Sequence, residues 1–376
     1  MTGTPPTPHV PARQARQARL YAAALAGDEP AATAVVQDAL ADGADPEDVL
    51  LDLIAPVQRT VGEEWAAARI TVAQEHAASA VNERVIGALV RHAAPTPAAP
   101  RPGARPRRVT VACVDGEWHA LPARLLTEVL RLRGWEADFL GAQVPTPRLV
   151  EHVNLTGPRA VALSGSLATR LPTAHAAIAA CQAVGVPVLA GGAAFGPDGR
   201  YARLLGADMW APDARAAAVL LAEHEPTAAR RPHPAAPPHL ADQEYTLVAR
   251  SAPQLVRATL AGLEGTFPAF RDYSARQRRH TAEDIAQIVD FLAASLYADD
   301  PRLLVDFLRW TADVLTARGV PAHALTPTLD VLAARLADFP RAVRHLSEGR
   351  WAVSAAPSGP AGHSGHSGHG ESRGTA

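Results

Sequence analysis

Residues 108–222 alternate short apolar runs with helical patterns, and this alternation restricts the fold more than any other feature of the chain. Val109-Thr110-Val111-Ala112-Cys113-Val114 reads as a buried strand. A helix follows from about Leu121 to Arg133, closed by Gly134. Further strands fit Ala137–Leu140, Ala160–Ser164 and Val186–Ala190, with a weak fifth at Asp208-Met209-Trp210. Strands separated by helices imply right-handed βαβ units and a parallel, doubly wound sheet of Rossmann-like (flavodoxin-like) α/β type. Such sheets bind ligands at the carboxyl ends of their strands.

The flanking regions read differently. Residues 1–12 are polar and proline-rich, as in a disordered leader, and 13–93 are helical in pattern. Helices fit 16–27, 30–41, 45–67 and 71–92, and short loops between them suggest an antiparallel four-helix bundle. Residues 94–107 and 225–240 are proline-rich linkers around a central domain at 108–224. Residues 241–353 carry no strand pattern and read as an all-helical domain, with helices near 242–264, 281–297, 301–318 and 325–338 and a short piece to His345. The tail 354–376, with GHSGHSGHG, is low in complexity, and no metal site is assigned to it. The chain is therefore expected to be multidomain.

Thirty-six basic residues against 38 acidic ones leave a net charge of −2, which gives no electrostatic case for nucleic acid or an anionic membrane. Residues 1–12 are too short for a helix-turn-helix, no basic recognition helix stands out, and no nucleic-acid partner is expected. No window reaches about 18 continuous apolar residues. No membrane contact is expected, and the cytoplasm is the default location. The two cysteines, Cys113 and Cys181, lack a CxxC partner and read as core thiols. No catalytic motif is visible, so no enzyme activity is expected.

The chemistry gathers at the strand ends. Asp115-Gly116-Glu117-Trp118-His119-Ala120-Leu121-Pro122 follows the first strand, Ser164-Gly165-Ser166 the third and Gly191-Gly192 the fourth. A lone histidine there also fits a cap or surface residue. The glycine pair, however, permits close backbone approach to a bulky flat ligand, and the serines leave room and offer hydrogen bonds. With these motifs, 108–222 resembles the cobalamin-binding domain of corrinoid methyltransferases, mutases and cobalamin photoreceptors. That family carries D-x-H-x-x-G, S-x-L and G-G. Here the first motif is Glu117-x-His119-x-x-Pro122, with proline for glycine. The resemblance implies that His119 is the lower ligand to cobalt and that Glu117 orients its second ring nitrogen. It also implies that Ser164, Ser166, Gly191 and Gly192 line the slot for the nucleotide tail.

In the helical region, Trp65, Val72, Glu75 and His76 are spaced W-x(6)-V-x(2)-E-H. Taken singly, such a tryptophan is usually core and such a Glu-His pair a solvated face. Upstream of a cobalamin domain, the combination resembles the upper cap of CarH-type adenosylcobalamin photoreceptors. The resemblance implies that Trp65, Val72, Glu75 and His76 enclose the adenosyl group. Those sensors place a second histidine directly after the tryptophan, and here that position is Ala66.

In the third domain, Tyr273, Arg276, Arg279 and His280 fit either a solvated loop or an anion site for the propionates of a bilin or haem, with Thr281 and Asp284 opening the next helix. Phe291, Tyr297, Phe307 and Trp310 offer an apolar wall. A cobalamin sensor followed by a helical domain resembles the photocobilins, which implies a biliverdin. No cysteine lies beyond Cys181, so a bilin there must be non-covalent. The expected function is light sensing with a light-dependent homo-oligomer or an unknown protein partner. The alternatives are a corrinoid protein carrying a methyl group, or a light-independent cobalamin-responsive regulator.

Overall fold

The computed structural model describes residues 9–93, 107–223 and 237–355. Most of the leader, the linkers and the tail lie outside the described residues.

The first region holds α1 (His9–Leu25), α2 (Glu29–Ala41), α3 (Pro46–Asp48), α4 (Ala55–Ala66) and α5 (Val72–Ala93). Helix α1 begins inside the stretch read as a leader. Asp28 caps α2 by accepting from Ala31 N–H, and Asp45 caps α3 through Glu47 N–H. Between α3 and α4, Val49–Ile54 forms a π-helical turn, so the helix expected over 45–67 is continuous but locally underwound. Pro56 has no N–H to donate back along this turn. The Gln17 side chain supplies a donor there instead, reaching the Asp52 carbonyl at 2.8 Å.

The central domain has β1 (Arg108–Cys113), β2 (Glu136–Gly141), β3 (Ala160–Ser164), β4 (Val188–Gly191) and β5 (Met209–Ala211). All four pairings are parallel, in the order β2-β1-β3-β4-β5. The order reverses at β1, which makes the β1/β3 boundary the switch point of a flavodoxin-like sheet. Register aligns Cys113 with Ser164, Ser164 with Gly191, and Gly191 with Ala211. Three strand-end motifs thus start from one row at the carboxyl edge. Helices α6 (Leu121–Leu132), α7 (Thr146–Thr156), α8 (Leu171–Ala183), α9 (Arg200–Leu204) and α10 (Ala214–Glu223) complete the domain. Helices α6 and α10 share one apolar core with the bundle. The opposite face, under α7 to α9, extends to Tyr297 and Ala298 of the third domain.

The third domain contains α11 (Glu244–Arg250), α12 (Ala252–Thr266), α13 (Ala275–Ala298), α14 (Arg302–Ala317), α15 (Thr326–Arg335) and α16 (Pro340–Ser354) around its own core. Two expectations are corrected. The helix drawn over 242–264 breaks at Ser251, with a proline in the first turn of its second half. Helix α13 starts at Ala275 and not at Thr281. Ser274 and Gln277 form the capping box, while the Thr281 hydroxyl donates back to the Gln277 carbonyl inside the helix.

Two joints fix the bundle end that faces α6 and α10. Arg133 holds Glu47 through two bonds of 2.8 Å, and Arg215 of α10 binds Asp48 at 2.6 Å and Asp52 at 2.9 Å. The third domain docks through Tyr297, whose hydroxyl lies 2.6 Å from His175 Nδ1, and Asp300, which accepts from the Tyr201 hydroxyl at 2.8 Å.

Candidate functional site

The turn after β1 carries Glu117 and His119. Gly116 adopts φ +78, and a Cβ there would lie 3.1 Å from the Arg170 guanidinium, so glycine lets the turn fold against that arginine. The Glu117 side chain is fully buried. Its Oε1 accepts from His119 N–H at 3.0 Å and from His119 Nδ1 at 2.6 Å. Its Oε2 accepts from the backbone N–H groups of Ser166 at 2.7 Å and Leu167 at 2.9 Å. Burial alone would raise the carboxyl, but the bonds from the His119 ring and backbone, Ser166 and Leu167 outweigh it and hold the pKa at about 2. An ionised Glu117 keeps the proton on His119 Nδ1, so Nε2 presents its lone pair outward. The His119 ring is 44% exposed, with the Trp118 indole 5.0 Å away and itself 58% exposed.

Ser164 and Gly191 sit side by side at the strand ends, and Gly165 N–H donates to the Gly191 carbonyl at 3.0 Å. Gly192 adopts φ +100, and a Cβ there would lie 2.3 Å from the Gly165 carbonyl oxygen. Only glycine brings these two loops into contact. One buried carboxylate therefore links the His119 turn to the Ser166 loop, and glycine contact links that loop to Gly191–Gly192.

Trp65 lies in the last turn of α4, half-buried against the bundle core. The turn to α5 puts Ala68 at φ +56, a left-handed conformation that alanine rarely adopts. Thr71 and Gln74 cap α5 reciprocally. Val72, Glu75 and His76 thus fall in its first turns, with Val72 53% exposed. Glu75 bonds His76 Nδ1 and accepts from the Ser79 hydroxyl at 2.8 Å.

The third domain reaches this region. Trp310 of α14 lies 6.2 Å from Trp65, and the Arg318 guanidinium sits 5.3 Å over the Trp65 ring and donates to the Trp65 carbonyl. Sequence reasoning placed Trp310 in a wall within the third domain and did not single out Arg318, Arg170 or Trp118. No local motif marks Arg318 or Arg170, because their partners are remote in sequence. Trp118 carried a signal in hand, a large aromatic beside the histidine on a loop.

The second candidate cluster is dispersed. Arg276, Arg279 and His280 are exposed on the first turns of α13 and not in a loop, with Arg276 Nε 3.4 Å from His280 Nε2. Tyr273 turns inward onto Phe267 and Phe270. Phe291 and Phe307 stack at 3.9 Å, but Tyr297 leaves that wall for the joint with the central domain. A cleft of about 560 Å³ between α9 and the α13–α14 turn contains none of the motif residues.

Residues 16–90 and 107–220, together half of the chain, match the two forms of the B12 binding domain. The chain belongs to the B12-binding family. It is 35% identical over 148 residues to the HTH-type transcriptional repressor CarH of Myxococcus xanthus, a match that covers 39% of this chain and 46% of that protein. The chain thus spans about half the length of that curated relative. Among solved structures, it resembles the monomethylamine corrinoid protein of Methanosarcina barkeri at 20% identity, covering 56% of this chain and all of the other, with a TM-score of 0.47. It also resembles a cobalamin-binding protein from Desulfitobacterium hafniense at 21% identity, over 55% and 97% of the two chains, with a TM-score of 0.30.

The cofactor of this family is cobalamin, and the residues fit it. Among the described residues, no three His, Cys, Asp or Glu side chains converge as a metal site. An imidazole with an outward lone pair suits a metal whose other ligands come from a macrocycle. Cys113 and Cys181 are buried, and burial pushes both thiols up to about 12, which makes them poor ligands. No helix among the described residues is long and apolar enough to cross a membrane.

Proposed function

We propose that the chain is a light-sensing cobalamin protein that carries adenosylcobalamin between its helical bundle and its α/β domain. One observation carries this reading. The buried Glu117 carboxylate holds His119 Nδ1 at 2.6 Å, which fixes the tautomer in which Nε2 would be free to donate to a metal.

In this reading His119 would bind cobalt through Nε2, and Glu117 orients the ring. Ser164, Ser166, Gly191 and Gly192 line the slot for the nucleotide tail. Trp65 and Val72 cover the upper ligand, and Glu75 and His76 meet its polar edge. An adenosyl group on cobalt supplies a metal–carbon bond that light breaks. Trp65 and the exposed Val72 would pack against that group and would lose those contacts without it. Trp310 and Arg318 hold Trp65, so the change reaches α14 directly. A few kcal/mol of altered domain packing is enough to shift an oligomer or a partner equilibrium, so the output is assembly and not catalysis.

The third domain is the candidate site for a second chromophore, biliverdin. Both cysteines are buried in the α/β domain, so such a bilin is held non-covalently. A methyl-carrying corrinoid protein is the second reading, because it needs the same His119. The Trp65 cap, clamped from the third domain, favours the larger upper ligand.

The test is reconstitution in the dark with adenosylcobalamin, with and without biliverdin, followed by spectra and mass before and after green and red light. The expected result is a spectral change with a change in assembly. Unchanged spectra under green light overturn the light-sensor reading. A red-light response that does not require biliverdin overturns the second chromophore.

A further inference from the structure

The bundle buries polar groups where apolar ones would pack. Asn82, on the inner face of α5, is fully buried beside Ala78, Val81, Val85 and Ile86. Its Nδ2 donates to Gln58 Oε1 of α4 at 2.8 Å. Gln58 Nε2 donates to the Ser79 hydroxyl at 2.7 Å, and that hydroxyl donates to Glu75 Oε1 at 2.8 Å. Every donor points the same way, so the series starts inside the bundle and ends on a carboxylate. Asn82 Oδ1 is buried with no hydrogen-bond partner. An unpaired buried acceptor is destabilising, and leucine at this position would avoid that cost. The arrangement is explained by what it orients.

We infer that Asn82, Gln58 and Ser79 are positioning residues for Glu75, a buried relay that fixes the carboxylate which the reading above sets at the polar edge of the upper ligand. The inference rests on the cobalamin reading above. A carboxylate accepts about four hydrogen bonds, and Glu75 takes two from the described residues, one from Ser79 and one from His76. Its side chain keeps 25% exposure, so its remaining lone pairs can be reached. A carboxylate only accepts. The hydroxyls of a ribose can donate to it, whereas a methyl ligand offers no donor and leaves its lone pairs to water, so the carboxylate adds nothing to the binding of the smaller ligand. The relay matters because the specificity of a carboxylate depends on where its lone pairs point, and Ser79 fixes one oxygen from below.

The test uses the full chain in the dark and measures dissociation constants for adenosylcobalamin and methylcobalamin. Ser79→Ala is expected to weaken adenosylcobalamin about tenfold, the size of one charge-assisted hydrogen bond, with methylcobalamin little changed. Ser79→Thr, which keeps the hydroxyl, restores the preference. Gln58→Leu moves the ratio in the same direction as Ser79→Ala, and thermal melts of all variants show whether the fold is intact. Equal losses for both corrinoids, or no change in the ratio with Ser79→Ala, overturn the inference while leaving the cobalamin site in place. Failure of the wild-type chain to bind either corrinoid removes the site and the inference together.

Discussion

The indoles of Trp65 and Trp310 lie 6.2 Å apart, one on the bundle and one on the third domain, with planes inclined at 34°. Arg318 sits over the same Trp65 ring. An aromatic pair and a cation over a ring each contribute about 1 kcal/mol. Trp310→Ala with Arg318→Ala is therefore expected to loosen the end of α4 by about 2 kcal/mol. Hydrogen exchange should report it as faster exchange from Trp65 to Thr71, with the sheet amides unaffected. Unchanged protection in that turn would mean that the clamp contributes nothing.

Glu117 accepts four hydrogen bonds at once, from the His119 ring and from the His119, Ser166 and Leu167 amides. Glu117→Gln keeps the shape but removes the charge that stabilises the proton on Nδ1. Outer partners of metal-bound histidines are typically worth about 10–100-fold in affinity. Cobalamin titration of this variant is expected to show a loss in that range, and binding equal to wild type refutes the role given to Glu117.

Gly192 packs directly on Gly165. Gly192→Ala combines a Cβ 2.3 Å from a carbonyl oxygen with an unfavourable φ of +100. A loss of about 3 kcal/mol or more follows, visible as a lower thermal midpoint of the cofactor-free protein. Gly27 has open space around it, so Gly27→Ala incurs only the strain of its φ of +70 and is the matched control.

Ala68 offers the reverse experiment. Its φ of +56 costs about 1 kcal/mol for a residue with a Cβ, so Ala68→Gly should stabilise the bundle by roughly that amount. Chemical denaturation that shows no gain would indicate that the unfolded-state entropy of glycine cancels the relief.

His345 gives the third domain an acid sensitivity. It is fully buried, with Nδ1 2.9 Å from the Ser295 hydroxyl, and burial lowers its pKa from 6.5 to about 4. Arg344 and Arg341 beside it oppose its charging, and Asp299 and Asp300 favour it. The folded state binds the proton less tightly than the unfolded one, so this contribution is complete above pH 6.5. It is lost as pH falls through about 4, to a total of about 3 kcal/mol. Melts of wild type and His345→Gln between pH 7 and 4 should converge on acidification, and parallel curves would count against it.

The central domain was legible because strands of a parallel sheet are near-continuous apolar runs, and a motif at each strand end needs only sequence order to be placed. The strand-end positions of Glu117, His119, Ser164, Ser166, Gly191 and Gly192 followed from that order, whereas the roles expected of them came from the family resemblance. The start of α13 was missed because Thr281 with Asp284 mimics a cap, while Ser274 with Gln277 is the pair that forms one. Arg318, Arg170 and the relay through Gln58 and Asn82 were not legible. Their meaning comes from partners on other helices, and no local spacing encodes them.

The two ends of the bundle are secured by different physics. At the π-helical turn, Arg133 and Arg215 grip Glu47, Asp48 and Asp52 through charge. At Trp65 the hold is aromatic, from Trp310 and the Arg318 guanidinium. Dissolved salt weakens the first attachment and leaves the second largely untouched. Rising ionic strength is therefore expected to loosen the Arg215 joint before it affects the Trp65 contact.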